Sequence, residues 1–583
     1  MSDYSHIEPL RFPVPPSRQR AKRHYGVHPY FTRRSWRVVQ AYIERFSRKG
    51  DLVVDPFGGS GVTATEALVL GRRGCQVDLN PLANFIARQL AVSPVSLEAI
   101  THRLHELRKR CEPRLALWRR ASDSELAGAL EGFDYPRDVP LPRNADARFV
   151  HELFTPRQLV SLACLRHEIV QTANHTVRDL LLLAFSATLA KTNRTFISAV
   201  GRKPSRGGAS IFSLYRYNVP GNPVELDVWE QFEARVSSLL TAKRETNDLI
   251  RDWYSQQTFR AITGSATRLT DLVGAETADY IYTDPPYGGH IAYLDLSTMW
   301  NAWLGFPVTD ADRHDEVIEG GDVGHTSSDY TRLLEQSIEE MFAVLKPGRW
   351  LSLVFCHRDL NYWTTIRDSA EQAGFRHVNT VVQPLNVVWS MHRKKNPLKV
   401  LAGELVINFL KPCGKVRRTR PKPRVSEATL LRTVKLCAEL AICEKGAATT
   451  EEVYYVLIPR VLESGLATEA TANGLDLVAT LRKQGFHFND TRGRWEVPPG
   501  HQFDPDIPAA VRARGYLRQC LAEAKAEGRP AQLCSVLSYI AGHLGPEDRI
   551  PEEVVLQELR SVGRPVQEDL WELREASQQL VMF

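Results

Sequence analysis

A chain of 583 residues with 43% hydrophobic residues provides for about two to four domains with ample cores. Its net charge of +6 is modest for that size, which excludes a uniformly basic nucleic-acid coat and leaves any such affinity to local patches. Nine scattered cysteines without Cys-x-x-Cys pairs exclude a disulfide framework or zinc ribbon, no metal site is expected, and no long uncharged apolar stretch or signal sequence suggests a membrane; the expectation is a soluble cytoplasmic protein with reduced, mostly buried thiols.

In chain order, His28-Pro29-Tyr30-Phe31 precedes a helix over Ser35 to Ser47. Asp51 to Thr63 then reads as a buried strand, a glycine-rich turn through Asp55-Pro56-Phe57-Gly58-Gly59-Ser60-Gly61, and a helix from about Val62 to Leu70. Glycines let backbone approach a ligand closely, and the helix turns its N-terminus towards it, so the segment suits a nucleotide-type pocket. Gly74 to Asp78 reads as a second strand, and Asp78 lies about 20 residues beyond the first, where a carboxylate can bind ribose hydroxyls. Gly59-x-Gly61-x-x-Ala64 also satisfies a loose dinucleotide fingerprint, so on this segment alone a nicotinamide enzyme stays open.

An insertion of about 160 residues, Leu97 to Ser255, carries helical patterns opening at Phe154 to Leu159 and running from Val177 to Leu189. Within it Arg194, Arg202, Lys203, Arg206, Tyr215 and Arg216 mix cations, glycines and aromatics, a combination suited to phosphate contact and base stacking. Phe259 to Ala266 predicts a third strand and its turn, and Ala278 to Thr283 a fourth, ending in Asp284-Pro285-Pro286-Tyr287. Tyr293 to Leu304 has helical spacing, with Trp300 and Trp303 on its packing stripe. Lys346-Pro347-Gly348 ends a helix ahead of a strand over Trp350 to Phe355, and apolar runs near Val381 and over Leu405 to Phe409 complete seven strands alternating with helices, the pattern of a doubly wound α/β sheet.

Residues 1–96 and 256–412 are thus expected to form one sheet domain, 97–255 a helical insertion suited to target recognition, 413–424 a basic linker, and 425–583 a mostly helical domain. In that last part Leu481 to Val497 resembles the helix and hairpin of a winged helix, which would serve DNA or a partner protein, and no convincing internal repeat is found. Pro412-Cys413 resembles the nucleophile dipeptide of cytosine ring-carbon methylases, but it follows the last strand rather than the fourth.

The tetrapeptide at Asp284 narrows the chemistry. An amino nitrogen on a base is a poor nucleophile because its lone pair is delocalised into the ring. Two acceptors, the Asp284 carboxylate and the Pro285 carbonyl, would draw it towards tetrahedral geometry, while consecutive prolines fix the backbone and offer no competing N–H. Tyr287 offers a ring face to a base flipped from the duplex.

Together, Asp55-Pro56-Phe57-x-Gly59-Ser60-Gly61 and Asp284-Pro285-Pro286-Tyr287 resemble the cofactor and catalytic motifs of the amino-methylating DNA methyltransferases, which act on adenine N6 or cytosine N4; the long insertion is similar to that of certain bacterial adenine-specific methylases. The resemblance covers about residues 24 to 412. It implies a class I methyltransferase sheet of seven strands and S-adenosylmethionine as cofactor, held by Tyr30, Asp55, Pro56, Phe57, Gly58, Gly59, Ser60, Gly61, Asp78, Leu79, Ser265 and Ala266. It implies a target-base site at Asp284, Pro285, Pro286 and Tyr287, double-stranded DNA as partner, and adenine favoured over cytosine because an acid opens the catalytic motif. Many relatives have Gly-Asp where this chain has Gly264-Ser265, which implies a weakened cofactor contact. A restriction or defence partner, an RNA-base substrate and a non-catalytic DNA-binding specificity subunit stay open as alternatives.

Overall fold

The structure is a computed structural model that describes residues 4–16, 23–198, 207–289, 291–384, 401, 403–414, 426–464, 475–548 and 550–574. The chain forms two compact units, one comprising Met1–Cys356, Asp368–Lys395 and Gly403–Arg418, the other His357–Arg367, Asn396–Ala402 and Thr419–Phe583.

In the first unit seven strands form one sheet: β1 (Leu52–Asp55), β2 (Arg73–Asp78), β3 (Phe259–Thr263), β4 (Ala278–Thr283), β5 (Leu345–Phe355), β6 (Arg376–Pro384) and β7 (Gly403–Leu410). Their order is β3-β2-β1-β4-β5-β7-β6, parallel except for β7, which runs antiparallel to both β5 and β6. This is the class I methyltransferase sheet. Every residue of β4 and of β7 is buried, which is why these strands read as unbroken apolar runs rather than alternating ones. The chain leaves β1 in one direction for β2 and β3 and returns in the other for β4 and β5. Right-handed crossovers therefore put the helices of the two halves on opposite faces and open a crevice between the carboxyl ends of β1 and β4.

Helices begin where local chemistry permits. The helix α1 (Trp36–Phe46) buries Val38, Val39, Tyr42, Ile43 and Phe46, while α2 (Val62–Val69) starts directly from Gly61. Asn80 caps α3 (Pro81–Ala91) by accepting the Leu82 N–H at 3.2 Å, with Pro81 in the first turn where no N–H is needed. The insertion supplies long helices at Leu97–Trp118, Pro156–Val170, His175–Leu189 and Val228–Ile250, the second closed by a Thr155–Gln158 capping box. It belongs to the same compact unit as the sheet, and Trp303 sits edge-on between Phe154 and Phe185 of the insertion at 5.6 and 5.8 Å.

Two expectations change. Tyr293 to Leu304 is not one helix but two, Tyr293–Leu296 and Thr298–Leu304, because the Tyr217 hydroxyl inserts at the break, donating to the Leu296 carbonyl (2.7 Å) and accepting from the Met299 N–H (3.0 Å). Lys346-Pro347-Gly348 does not separate helix from strand; it lies inside β5. Gly348 at φ +73° donates to the Lys411 carbonyl, and the β4 register shifts there.

The second unit contains a repeat absent from the sequence reading. Helix Glu427–Lys445 is followed by a bridge at Ala448, helices Thr450–Ser464 and Leu477–Lys483, and an antiparallel hairpin of His487–Asn489 with Arg494–Glu496. Helix Ala509–Ala526 is followed by strand Ala531–Gln532, helices Leu533–His543 and Glu552–Val562, and the hairpin of Gly563–Gln567 with Leu570–Leu573. In both, an alanine after the first helix pairs with a tryptophan of the last strand, Ala448 with Trp495 and Ala531 with Trp571. Both follow the order helix, short strand or bridge, two helices and hairpin, and Leu481-Arg482-x-x-Gly485 corresponds to Leu559-Arg560-x-x-Gly563. Corresponding positions are 83, 78 and 76 residues apart for the alanine, arginine and tryptophan pairs, which hides the repeat from a fixed-period search.

Candidate active site

β1 ends at Asp55, and the chain turns through Gly59 (φ +50°) and Gly61 (φ +88°), conformations that side chains beyond glycine rarely adopt. A Cβ on Gly58 would stand 2.6 Å from the Gln76 Cβ, and one on Gly61 2.5 Å from that of Ala87, so the turn is wedged between β2 and α3. Across the turn the Gly59 N–H donates to Asp78 Oδ2 at 2.7 Å, while Asp78 Oδ1 accepts from the Asn80 N–H at 2.8 Å. Each carboxylate oxygen retains a second lone pair for a ligand hydroxyl. Burial pushes Asp78 up to about 6, against the pull of these two donors.

β4 ends one strand over. Asp55 joins the two ends, its Oδ1 accepting from Thr283 Oγ1 at 2.8 Å and from the Phe57 N–H at 3.1 Å, and burial raises it to about 7. Beyond Thr283 the Tyr287 hydroxyl donates to Asp284 Oδ1 at 2.6 Å, and the Tyr287 ring stands edge-on to Phe355 at 5.1 Å. Tyr330 donates to the Pro286 carbonyl at 2.6 Å, whereas no group among the described residues donates to that of Pro285.

One cavity spans both strand ends. Its wall includes Tyr30, Asp55, Pro56, Phe57, Gly58, Gly59, Ser60, Asp78, Leu79, Ser265 and Ala266 at one end and Asp284 and Pro286 at the other. Gly61, Pro285 and Tyr287 adjoin lining residues in the chain without lining the cavity themselves. Ser265 is buried and its hydroxyl caps the short turn at Ala266–Arg268, accepting from the Thr267 N–H at 3.3 Å.

Several lining residues were not anticipated. Glu316, buried and raised by desolvation to about 8, accepts from the Leu294 N–H at 3.0 Å beside Asp315. Arg33 donates to Ser60 Oγ at 2.9 Å, and burial lowers it to about 10. Arg34 donates through Nε to Asp284 Oδ2, through Nη2 to the Tyr287 hydroxyl and through Nη1 to Glu404 Oε1. Two adjacent arginines before an amphipathic helix, and an acid opening the apolar strand Leu405 to Phe409, were the available signals.

The basic segment of the insertion is only partly described. Arg194 donates to the Glu152 carbonyl at 3.1 Å, Arg216 is paired with Asp146, and Tyr215 has φ +50°. Arg202, Lys203 and Arg206 lie outside the described residues, as does the basic run Lys415 to Arg424. Six of the nine cysteines are buried. Among the described residues no helix is long and apolar enough to cross a membrane, and no cluster of three metal-ligating side chains is present.

Residues 11–88 match the family model of the N6 and N4 methyltransferases described as DNA methylase. A curated relative, the Type II methyltransferase M.MjaII of Methanocaldococcus jannaschii, is 31% identical over 78 residues, which is 13% of this chain; the chain spans only 15% of that relative's length. The glycine-turn segment is thus similar to the N6 and N4 DNA methyltransferases, and both matches stop short of the rest of the chain. Among solved structures, the antibiotic-resistance methyltransferase Kmr aligns over 30% of this chain and 71% of its own, at 10% identity and a TM-score of 0.17, a likeness that carries no argument about function.

Proposed function

We propose that this protein transfers a methyl group from S-adenosylmethionine to the exocyclic amino group of a base flipped out of double-stranded DNA. Adenine N6 is the favoured target, and the activity belongs to a restriction-modification or phage-defence setting. The observation that carries the reading is the single cavity reaching from the Gly58–Ser60 turn to Asp284, with Asp55 tied to Thr283 between them.

The residues fit the cofactor. Asp78 has lone pairs for a ribose diol, Leu79 and Ala266 provide apolar surface for an adenine ring, and the acids and aromatic faces further along the cavity suit a sulfonium cation. When bound, S-adenosylmethionine supplies an electrophilic methyl group. Asp284 and the Pro285 carbonyl each accept one amino hydrogen of the target base, which directs the nitrogen lone pair towards the cavity. With the Pro286 carbonyl engaged by Tyr330, the Pro285 carbonyl is the backbone acceptor left for that task. Asp284 orients rather than deprotonates, since the methylated ammonium is acidic and gives up its proton to the same acceptors or to water. Tyr287 stacks on the flipped base and offsets part of the unstacking cost of a few kcal/mol.

The insertion reads the target. In the second unit the first helix-and-hairpin segment adds backbone contacts through Arg482 and Lys483, which are exposed. The test is mass spectrometry of nucleosides from DNA and RNA of cells with and without the gene. N6-methyladenine gained in DNA alone is expected, N4-methylcytosine would move the target to cytosine, and modification confined to RNA would overturn the reading.

A further inference from the structure

We infer that Arg34 is a positioning residue that clamps the base-binding corner, holding the Asp284 carboxylate and the Tyr287 ring in the arrangement the flipped base meets, with Glu404 as the counter-anion that holds Arg34 in turn. The inference rests on the function proposed above and adds a residue from outside the catalytic tetrapeptide.

Three donors of one guanidinium are committed to three partners. Nε serves Asp284, Nη2 serves the Tyr287 hydroxyl and Nη1 serves Glu404, and the Arg34 side chain is 18% exposed against 20% for Asp284 and 7% for Glu404. A planar guanidinium offers its donors in fixed directions, so engaging three at once fixes the positions of all three partners relative to one another. Lysine, a compact charge on a flexible stem, would not do this.

The clamp closes a ring of contacts. The Tyr287 hydroxyl accepts from Arg34 and donates to Asp284 Oδ1, while Asp284 Oδ2 accepts from Arg34. Phe355 stands edge-on to the Tyr287 ring at 5.1 Å and 75°, and the Arg34 guanidinium carbon lies 5.4 Å from that ring's centroid. The phenol therefore cannot turn without breaking a hydrogen bond at its tip. Each Asp284 oxygen has one protein donor and keeps a lone pair for the amino group of the base. Both elements of base recognition, an acceptor and a stacking face, are thus ordered before the base arrives, and ordering cost is a large part of what binding must overcome.

Among the described residues the Glu404 carboxylate has one ion-pair partner, Arg34. It is buried at the start of β7, desolvation raises its pKa, and Arg34 is the first counter-charge opposing that rise. A lone carboxylate so close to Asp284 would repel it; Arg34 lies between them and converts the repulsion into a shared attraction.

Arg34→Ala in the full chain, assayed with tritiated S-adenosylmethionine and unmodified double-stranded DNA amplified from a bacterial genome, tests the clamp. Expected are turnover at saturating DNA down at least 100-fold, a cofactor Kd by calorimetry within threefold of the parent, and recovery of at least 10-fold on adding millimolar guanidinium. Asp284→Ala should show no such recovery. Transfer by Arg34→Ala within threefold of the parent, or failure of guanidinium to restore a folded, cofactor-binding variant, would overturn the inference. A readout independent of transfer is fluorine NMR with 3-fluorotyrosine, the Tyr287 signal being assigned through Tyr287→Phe. One narrow resonance in the parent should broaden or split in Arg34→Ala, and an unchanged resonance would sink the clamp. A parent that transfers nothing to DNA would instead remove the proposed function, leaving the fluorine signal to judge the clamp alone.

Discussion

The cavity has two walls of opposite construction. The wall at the end of β1 is built on backbone: Gly58 and Gly59 line it, Gly58 and the adjoining Gly61 fit tightly against Gln76 and Ala87, and its Asp78 carboxylate is held by main-chain donors. The wall at the end of β4 is side chain: Asp284, with the adjoining Tyr287, is hydrogen-bonded by Arg34, 250 residues earlier, which in turn pairs with Glu404. A backbone wall is built by one short segment and resists substitution through sterics. A side-chain wall is assembled from distant segments and can be dismantled one charge at a time.

Asp284→Ala should separate the walls most sharply. Turnover is expected to fall by about 10²–10³-fold or more, as for the loss of one preorganised transition-state group. Calorimetry should show cofactor affinity within threefold, and normal turnover would refute the assignment. Gly61→Ala strikes the other wall, where a Cβ meets Ala87 at 2.5 Å in a left-handed conformation. A stability loss of about 1–3 kcal/mol is expected in denaturant titration, together with at least 10-fold weaker cofactor binding. Gly61→Arg should abolish binding altogether.

Glu404→Gln is a milder perturbation, because glutamine still accepts from Arg34 without the charge. Turnover should drop roughly 5- to 10-fold with cofactor affinity unchanged, in line with charge-assisted bonds being about twice as strong as neutral ones. If cofactor affinity falls as well, the walls are not independent.

The smallest effect concerns the residue shared by both walls. Asp55 and Asp78 are raised by burial to about 7 and about 6, so the folded protein holds these protons more firmly than the unfolded chain does. The stability they contribute is complete below about pH 4 and is lost as pH rises through 6 and 7. Asp55→Asn, which cannot ionise, should therefore melt about 2 °C above the parent at pH 8 with little difference at pH 4. An equal offset at both pH values would refute the buried-acid explanation.

The same contrast governs what could be read from residues alone. The seven strands, the glycine turn and the helix openings at Val62, Pro156 and His175 follow from local periodicity and capping, which act over a few residues. The break at Ser297 was illegible because Tyr217, which satisfies it, lies on the insertion. Arg34 and Glu404 were missed for the same reason: each reads as ordinary surface charge until the sheet brings β7 and the segment before α1 to the corner. Ser265 was noticed as a departure, but its capping role depends on the turn that follows it.

The paired helix-and-hairpin segments of the second unit carry an internal control. Two segments of one architecture meet the same packing demands, so what both share reflects the scaffold and what only one has is free for a separate task. Ala448 and Ala531, Trp495 and Trp571, and Arg482 and Arg560 fall in the former class. Lys483 against Ser561, and a tip holding Asp490 and Arg492 against one holding Glu568 and Asp569, fall in the latter, so the two segments share a form and differ in charge.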